Sequence, residues 1–104
     1  MSCSTTATVY VTYDGTPAQR FHRRYYVERH LPLVMHAWRR YGLERATAFF
    51  PAPTHVGTLA ICECIFRDDA AIDAAFGSPE AALVMADVAA FTDIAPTRLR
   101  VARR

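Results

Sequence analysis

His30 is the residue best suited to acid–base chemistry in this chain, and its setting is unusual. It lies two positions before Pro32, in a stretch that otherwise has the pattern of a long amphipathic helix. Proline lacks a backbone N–H and its ring clashes with the carbonyl four residues earlier, here that of Glu28, so we expect the helix to be kinked or interrupted. An imidazole titrates near pH 7, with an ordinary pKa of about 6.5. The segment therefore predicts a site of proton transfer, without identifying the reaction.

His30 could alternatively have only a structural role, capping the backbone carbonyls that Pro32 leaves without a donor. If it is catalytic, other side chains could assist it. Tyr26 lies one helical turn earlier on the same apolar stripe. Its hydroxyl could orient the imidazole or donate to a substrate oxygen, or Tyr26 could be a core residue whose hydroxyl is satisfied at the rim. Asp93 precedes the last predicted strand, and its carboxylate could fix the tautomer of His30 or cap a loop. Asp87 is a weaker candidate for the same role. We take His30, Tyr26 and Asp93 as the candidate catalytic residues.

The candidate substrate-binding residues are aromatic or apolar: Tyr10, Trp38, Cys62 and Phe91. A tryptophan at this helical spacing more often belongs to the core than to a ligand platform. Cys62 and Cys64 share one face of a predicted strand, about 6.6 Å apart by the rise per residue, which disfavours a mutual disulfide. A Cys-x-Cys pair with a distant histidine also fits zinc poorly, so no metal is predicted. Buried filler and a pocket-lining thiol are the two interpretations of Cys62.

The remaining histidines and the second tyrosine of the helix carry less weight. Tyr25 should point about 100° away from Tyr26 and pack between helix and sheet. His22 and His36 fall off the apolar stripe, and His55 is expected in a solvated, proline-rich loop.

Composition limits the class of protein. The chain has 104 residues, enough for one domain, which we place at 6–104 after a flexible tail at 1–5. All twelve basic residues are arginines spread among ten acids, so we expect no nucleic-acid partner. No apolar run approaches the roughly 20 residues of a membrane span. Three cysteines and no recognisable leader favour a reducing, cytoplasmic location.

The order of the predicted elements indicates a fold. The pattern predicts strands over 6–13, 43–51, 57–66 and 97–101, and helices over 17–41, 69–76 and 79–88. A turn is expected at Asp14-Gly15, and Thr16 and Gln19 should form a capping box at the start of the first helix. Gly42 should end that helix, and Asp68-Asp69 should cap the next one. The apolar stripe of the first helix comprises Tyr26, His30, Leu33, Val34, Ala37, Trp38 and Tyr41. This βαββαβ order is typical of an α+β, ferredoxin-like fold, with one antiparallel sheet and its helices on one face. The strand at 57–66 is apolar on both faces, so a second copy of the chain should cover the other face as a homodimer.

Two groups of residues are similar to those of a known family. The first comprises Tyr25-Tyr26, His30-Leu31-Pro32-Leu33 and Gly42-Leu43, and the second Phe76-Gly77-Ser78-Pro79-Glu80, Ala86-Asp87-Val88 and Phe91-Thr92-Asp93-Ile94. Together with the strand order they resemble the EthD family of the dimeric α+β barrel superfamily, over roughly residues 6–101. The resemblance implies a homodimer whose sheets form a barrel, with a pocket in each subunit. It implies little about the reaction, because superfamily members include cyclases, isomerases, monooxygenases and haem-binding enzymes.

Three functional hypotheses follow. The first is a cofactor-independent enzyme or binder for small hydrophobic metabolites, aromatic or lactone-like, with His30 moving a proton in an isomerisation, cyclisation or dehydration. The four glycines are isolated and form no dinucleotide fingerprint, so no cofactor is predicted and the "reductase" label common in this family is not supported. The second hypothesis is a non-catalytic accessory protein of a degradative oxidase system. The third is haem binding through His30, as the superfamily resemblance allows.

Overall fold

The computed structural model describes residues 6–51 and 57–101, and it places four strands and a set of short helices in them. The predicted tail at 1–5 and the predicted loop around His55 lie outside these residues. In chain order the elements are β1 (Ala7–Gly15), α1 (Arg23–Tyr25), a π-helical turn (Tyr26–His30), α2 (Leu31–Trp38), a 3₁₀ turn (Arg39–Tyr41), β2 (Leu43–Phe49), β3 (Gly57–Phe66), α3 (Asp69–Phe76), α4 (Glu80–Ala86), a second 3₁₀ turn (Asp87–Ala90) and β4 (Thr97–Val101).

The four strands form one antiparallel sheet in the order β2-β3-β1-β4. The helices pack on one face of it, where Val9, Tyr13 and Phe66 are almost fully buried. On the opposite face, Phe49 and Leu99 are about half or more exposed, at 49% and 61%. The predicted α+β, ferredoxin-like fold is confirmed, including the sheet face that the chain itself leaves uncovered. No helix among the described residues is long and apolar enough to cross a membrane.

The first helix begins later than the sequence predicts. Thr16 and Gln19 do make half of the predicted capping box, because the Gln19 side chain accepts a 2.8 Å hydrogen bond from the Thr16 N–H. The backbone there forms only a turn, however, and α1 starts at Arg23. The predicted turn at residues 14–15 is also wrong, since β1 continues to Gly15 through a register shift after Tyr13.

Pro32 does not break the helix, because a wider turn precedes it. The five residues Tyr26–His30 are π-helical, and the N–H of Leu31 donates to the carbonyl of Tyr26, five residues back. A π turn moves the preceding carbonyls away from where the proline ring would strike them in an α-helix. It also changes which side chains face the core: Leu31 is buried where the α-helical stripe predicted Leu33.

The end of the first helical segment and the start of α3 match the sequence signals, whereas Ser78 does not cap α4 and donates to the carbonyl of Ala75 instead. Gly42 terminates the first helical segment with φ 111°, a left-handed conformation that favours glycine, and a Cβ there would lie 2.7 Å from that of Ala71. Asp68 caps α3 by accepting a hydrogen bond from the N–H of Ala71 at 2.8 Å.

Candidate functional site

A cavity of about 410 Å³ lies between the helices and the sheet. A volume of this size suits a small organic ligand. Its wall is mostly aliphatic or aromatic, and its polar members are few. The lining residues are Val11, Tyr13, Tyr26, His30, Leu31, Val34, Trp38, Cys62, Cys64, Phe76, Ala81, Val84, Met85, Val88, Pro96 and Arg98.

His30 faces this cavity from the end of the π-helical turn and is 4% exposed. Its Nδ1 lies 3.0 Å from Oδ2 of Asp87, the first residue of the 3₁₀ turn after α4. A carboxylate only accepts hydrogen bonds, so Nδ1 carries the proton and Nε2 keeps a lone pair. Asp87 thereby performs the orienting function that general bases require, and it leaves Nε2 as the free basic atom.

Tyr25 extends this pair into a chain of three groups. Its hydroxyl donates to the other oxygen of Asp87, Oδ1, at 2.8 Å. The hydrogen bond and the charge of Asp87 both raise the pKa of Tyr25, so the phenol stays protonated and remains a donor. The sequence predicts only packing for Tyr25, because a residue next to Tyr26 on an α-helix points about 100° away. The chemically relevant contact lies instead with the turn 62 positions later.

Tyr26 packs against His30, as predicted from their spacing. The two rings are stacked, with centroids 5.4 Å apart and planes inclined by 19°. The Tyr26 hydroxyl interacts with the thiol of Cys62, and burial strongly raises the pKa of this tyrosine. Tyr26 therefore contributes a neutral hydroxyl to the cavity wall and fixes the plane of the imidazole by contact.

Cys62 and Cys64 project from β3 into the same cavity, with sulfur atoms 3.6 Å apart. Both thiols are free and buried. Their separation is ordinary contact between thiols and far from the roughly 2 Å of a disulfide. Hydrogen bonding from Cys64 lowers the pKa of Cys62, against the effect of burial. The pocket-lining interpretation of Cys62 agrees with this placement.

The structure does not bring every candidate residue to the cavity. Asp93 is exposed and paired with Arg20 at 2.8 Å, so Asp87 takes the place predicted for it beside His30. Asp93 misses the cavity because its loop is tied to the segment before α1 by this pair and by the bridge between Phe21 and Thr92. Tyr10 lies on the opposite face of the sheet, where its hydroxyl donates to Glu63 at 2.8 Å.

Phe91 and Trp38 differ in their relation to the cavity. Phe91 is fully buried behind the site, with its ring 4.7 Å from that of His30, and it does not line the cavity. Trp38 does line the cavity and rests on Phe76, with ring centroids 4.6 Å apart. Its indole N–H is buried and has no hydrogen-bond partner among the described residues. Phe91 therefore supports the imidazole, and Trp38 forms part of the wall.

The electrostatics favour the neutral, basic form of His30. Burial lowers the pKa of His30 below its ordinary value of 6.5, and the hydrogen bond and charge of Asp87 oppose this shift. At neutral pH the imidazole is therefore uncharged with Nε2 unprotonated. Within residues 6–51 and 57–101, no three His, Cys, Asp or Glu side chains converge as metal ligands. For haem, His30 Nε2 is a suitable axial ligand atom among the residues that line the cavity.

Comparisons with known proteins identify the family. An EthD-like protein from Ralstonia eutropha is 25% identical, with a TM-score of 0.80 over 98% of this chain and 97% of that one. An EthD family protein from Bacillus halodurans is 16% identical, with a TM-score of 0.69 over 95% and 99% of the two chains. A hydroxynitrile lyase from Passiflora edulis is 8% identical, with a TM-score of 0.54 over 98% of each chain, and like the Bacillus protein it shows the fold alone. No curated protein matches the chain. The EthD domain model matches residues 14–95, and the chain belongs to the EthD family.

Proposed function

We propose that the cavity binds a small apolar metabolite and that His30 transfers a proton to or from it without a cofactor. The observation that carries this proposal is the 3.0 Å contact between His30 Nδ1 and Asp87 at the edge of a mostly apolar cavity. For a histidine with only a structural role, the hydrogen bond from one ring nitrogen to Asp87 would be sufficient. The second nitrogen, left basic toward a cavity, is what a general base requires.

The reaction class follows from the groups that surround Nε2. The lining supplies a neutral base in His30, a phenol in Tyr26 and a thiol in Cys62, in mostly apolar surroundings. These groups suit removal of a proton from a carbon next to a carbonyl and its return elsewhere on the ligand. Isomerisation or cyclisation of an aromatic ketone or a lactone meets that description.

Deuterium exchange tests the proposal directly. The protein is incubated in D₂O with a panel of aromatic ketones, lactones and an aromatic hydroxynitrile, and NMR follows both binding and the loss of carbon-bound protons. We expect exchange into at least one ligand, and its loss in His30→Ala. His36→Ala is the matched control, because His36 lies on the same helical segment but is exposed. Exchange that persists in His30→Ala would contradict the proposal.

The same experiment separates the alternatives. Tight binding without exchange in either protein would favour the accessory role, in which the cavity only holds a hydrophobic intermediate. A haem titration in parallel tests the third hypothesis, because coordination by His30 would give a Soret band that His30→Ala abolishes.

We also propose that two copies of the chain pair through the uncovered face of the sheet. Phe49, Leu99 and Val101 expose apolar surface there, at 49%, 61% and 43%. Leu99→Arg should convert the dimer to a monomer in sedimentation experiments. Leu83→Arg, at an equally exposed leucine on α4, should leave the dimer intact. A wild-type protein that sediments as a monomer would contradict this assignment.

A further inference from the structure

Among the described residues, one side chain with a permanent charge lines the cavity. That residue is Arg98 of β4, and the other lining side chains are aliphatic, aromatic, thiol, phenol or neutral imidazole. Asp87, which holds His30 from behind, is not among the lining residues. Arg98 is itself exposed, so it lies at the mouth of the cavity, and its surroundings decide which partner it can bind.

Arg98 and Arg100 occupy equivalent positions on the same face of β4, but their surroundings differ. Arg100 is bound to Asp73 at 2.7 Å and lies 3.8 Å from Asp69. The guanidinium of Arg98 instead rests over the ring of Phe76, 4.3 Å from its centroid. Among the described residues, no carboxylate lies within ion-pairing distance of Arg98, whereas five other arginines form ion pairs.

Stacking on Phe76 fixes the guanidinium without using its hydrogen-bond donors. A guanidinium can lie on an aromatic face while the N–H groups in its plane stay free for another partner. Phe76 and Arg98 both line this cavity, and both also border a second cavity lined by Asp73 and Arg100, so the stacked group is held between the two. Arg98 is thus preorganised to bind a planar acceptor that enters from the cavity side.

The register of the sheet places Arg98 at a defined distance from the proposed reaction centre. Arg98 pairs with Val11, and Val11 pairs with Cys62, so the three residues form one row across β4, β1 and β3. Directly paired residues project to the same face, and two strand spacings separate the ends of the row by about 10 Å. Cys62 contacts the Tyr26 hydroxyl beside His30. A ligand held at Arg98 would therefore extend one aromatic ring length or more toward His30.

From this arrangement we infer that the ligand of the cavity carries a carboxylate and that Arg98 binds it. The inference rests on the proposed function and narrows its substrate class to aromatic or alicyclic acids. A carboxylate matches the planar, two-pronged donor edge of a guanidinium and carries one charge. A phosphate ester would leave a second charge unmatched, because no second cation is found among the described lining residues.

A pair of probes of the same shape tests the inference. 2-Naphthoate carries a carboxylate, and 2-acetonaphthone replaces it with a neutral methyl ketone. Both are titrated by fluorescence into the wild type, Arg98→Met and Arg100→Met, since methionine keeps much of the apolar stem. We expect the wild type to prefer the acid, and Arg98→Met to bind the acid about tenfold more weakly while binding the ketone unchanged. Arg100→Met should resemble the wild type with both probes.

The possible failures are distinguishable. Equal affinity of the wild type for acid and ketone, or an unchanged affinity of Arg98→Met for the acid, would overturn the role of Arg98 and leave the cavity as a binding site. Binding of neither probe to the wild type would overturn this inference and the proposed cavity ligand together. Loss of the acid preference in both arginine variants would show a general effect of surface charge, which also contradicts the inference.

Discussion

The carboxylate of Asp87 lies 3.0 Å from Nδ1 of His30, although 57 positions separate the two residues in the chain. His30 ends a π-helical turn, and Asp87 begins the 3₁₀ turn that follows α4. The contact therefore joins two irregular segments, both of which differ from regular α-helix where the pair forms. This geometry fixes the tautomer of the imidazole and turns Nε2 into the basic atom of the cavity.

Asp87→Asn should reduce the proposed proton transfer while keeping the fold. The amide can also donate to Nδ1, which would favour the tautomer with the proton on Nε2. We expect exchange to slow by about 10- to 100-fold, less than the roughly 10² to 10⁴ expected when the base itself is removed. NMR titration should also show a lower pKa for His30, because Asp87 raises it.

Asp93→Asn is the matched control for this experiment. Asp93 belongs to an exposed pair with Arg20, so its substitution should leave both exchange and the His30 titration unchanged. If Asp93→Asn slowed exchange as much as Asp87→Asn, the assignment of the orienting carboxylate would be wrong.

Tyr25→Phe should have a smaller effect than Asp87→Asn, because it leaves the carboxylate in place. It removes only the 2.8 Å hydrogen bond from the Tyr25 hydroxyl to Asp87. We expect exchange to slow by less than about tenfold, with little change in the free energy of unfolding beyond one hydrogen bond. Tyr41→Phe removes a similar hydroxyl–carboxylate bond, 2.7 Å to Glu80, away from His30. A rate loss in Tyr41→Phe as large as that in Tyr25→Phe would point to a general loss of stability instead of positioning.

The pH dependence of stability should reveal the neutral state of His30. Because burial lowers its pKa in the folded protein, folded His30 binds fewer protons than unfolded His30 below about pH 6.5. The stability it contributes is therefore fully present above pH 6.5 and is lost as the pH falls through the folded pKa. Urea unfolding between about pH 5 and 8 should show this loss in the wild type and in His36→Ala, and less of it in His30→Gln. A His30→Gln profile parallel to the wild type would mean that other groups dominate.

The sequence predicted the fold well because local signals determine most of its elements. The strand at 57–66 and the capped helix after Asp68 have the predicted bounds, since an apolar run and an Asp cap act within a few residues. The start of α1 was missed because Thr16 and Gln19 form the predicted side-chain contact on a turn that never becomes helical. Capping signals show where a turn can begin but not whether a helix follows.

The site was harder to predict because its contacts are long-range. His30 and Tyr26 were found from a spacing within one helix, and Cys62 from its strand. The choice between Asp87 and Asp93 depended on how the loop before β4 docks, which the pairing of Asp93 with Arg20 decides. Tyr25 was missed because its partner lies beyond the helix. No sequence pattern pointed to Arg98 as a binding residue. It differs from Arg100 in its stacking on Phe76 and in having no carboxylate within ion-pairing distance among the described residues, and both features depend on tertiary structure.

The thiol of Cys64 should control the reactivity of Cys62. The two sulfur atoms are 3.6 Å apart, and the hydrogen bond from Cys64 lowers the pKa of Cys62. Cys64→Ala removes that donor, so at a given pH a smaller fraction of Cys62 should be thiolate. Alkylation of Cys62 by an apolar maleimide should therefore slow, even though the substitution opens space beside the thiol. Cys64→Ser keeps a donor and should restore much of the rate. The reaction is followed by intact mass in a Cys3→Ser background, and a saturating cavity ligand should protect Cys62. Faster alkylation in Cys64→Ala than in the wild type would show that access, and not the hydrogen bond, limits this thiol.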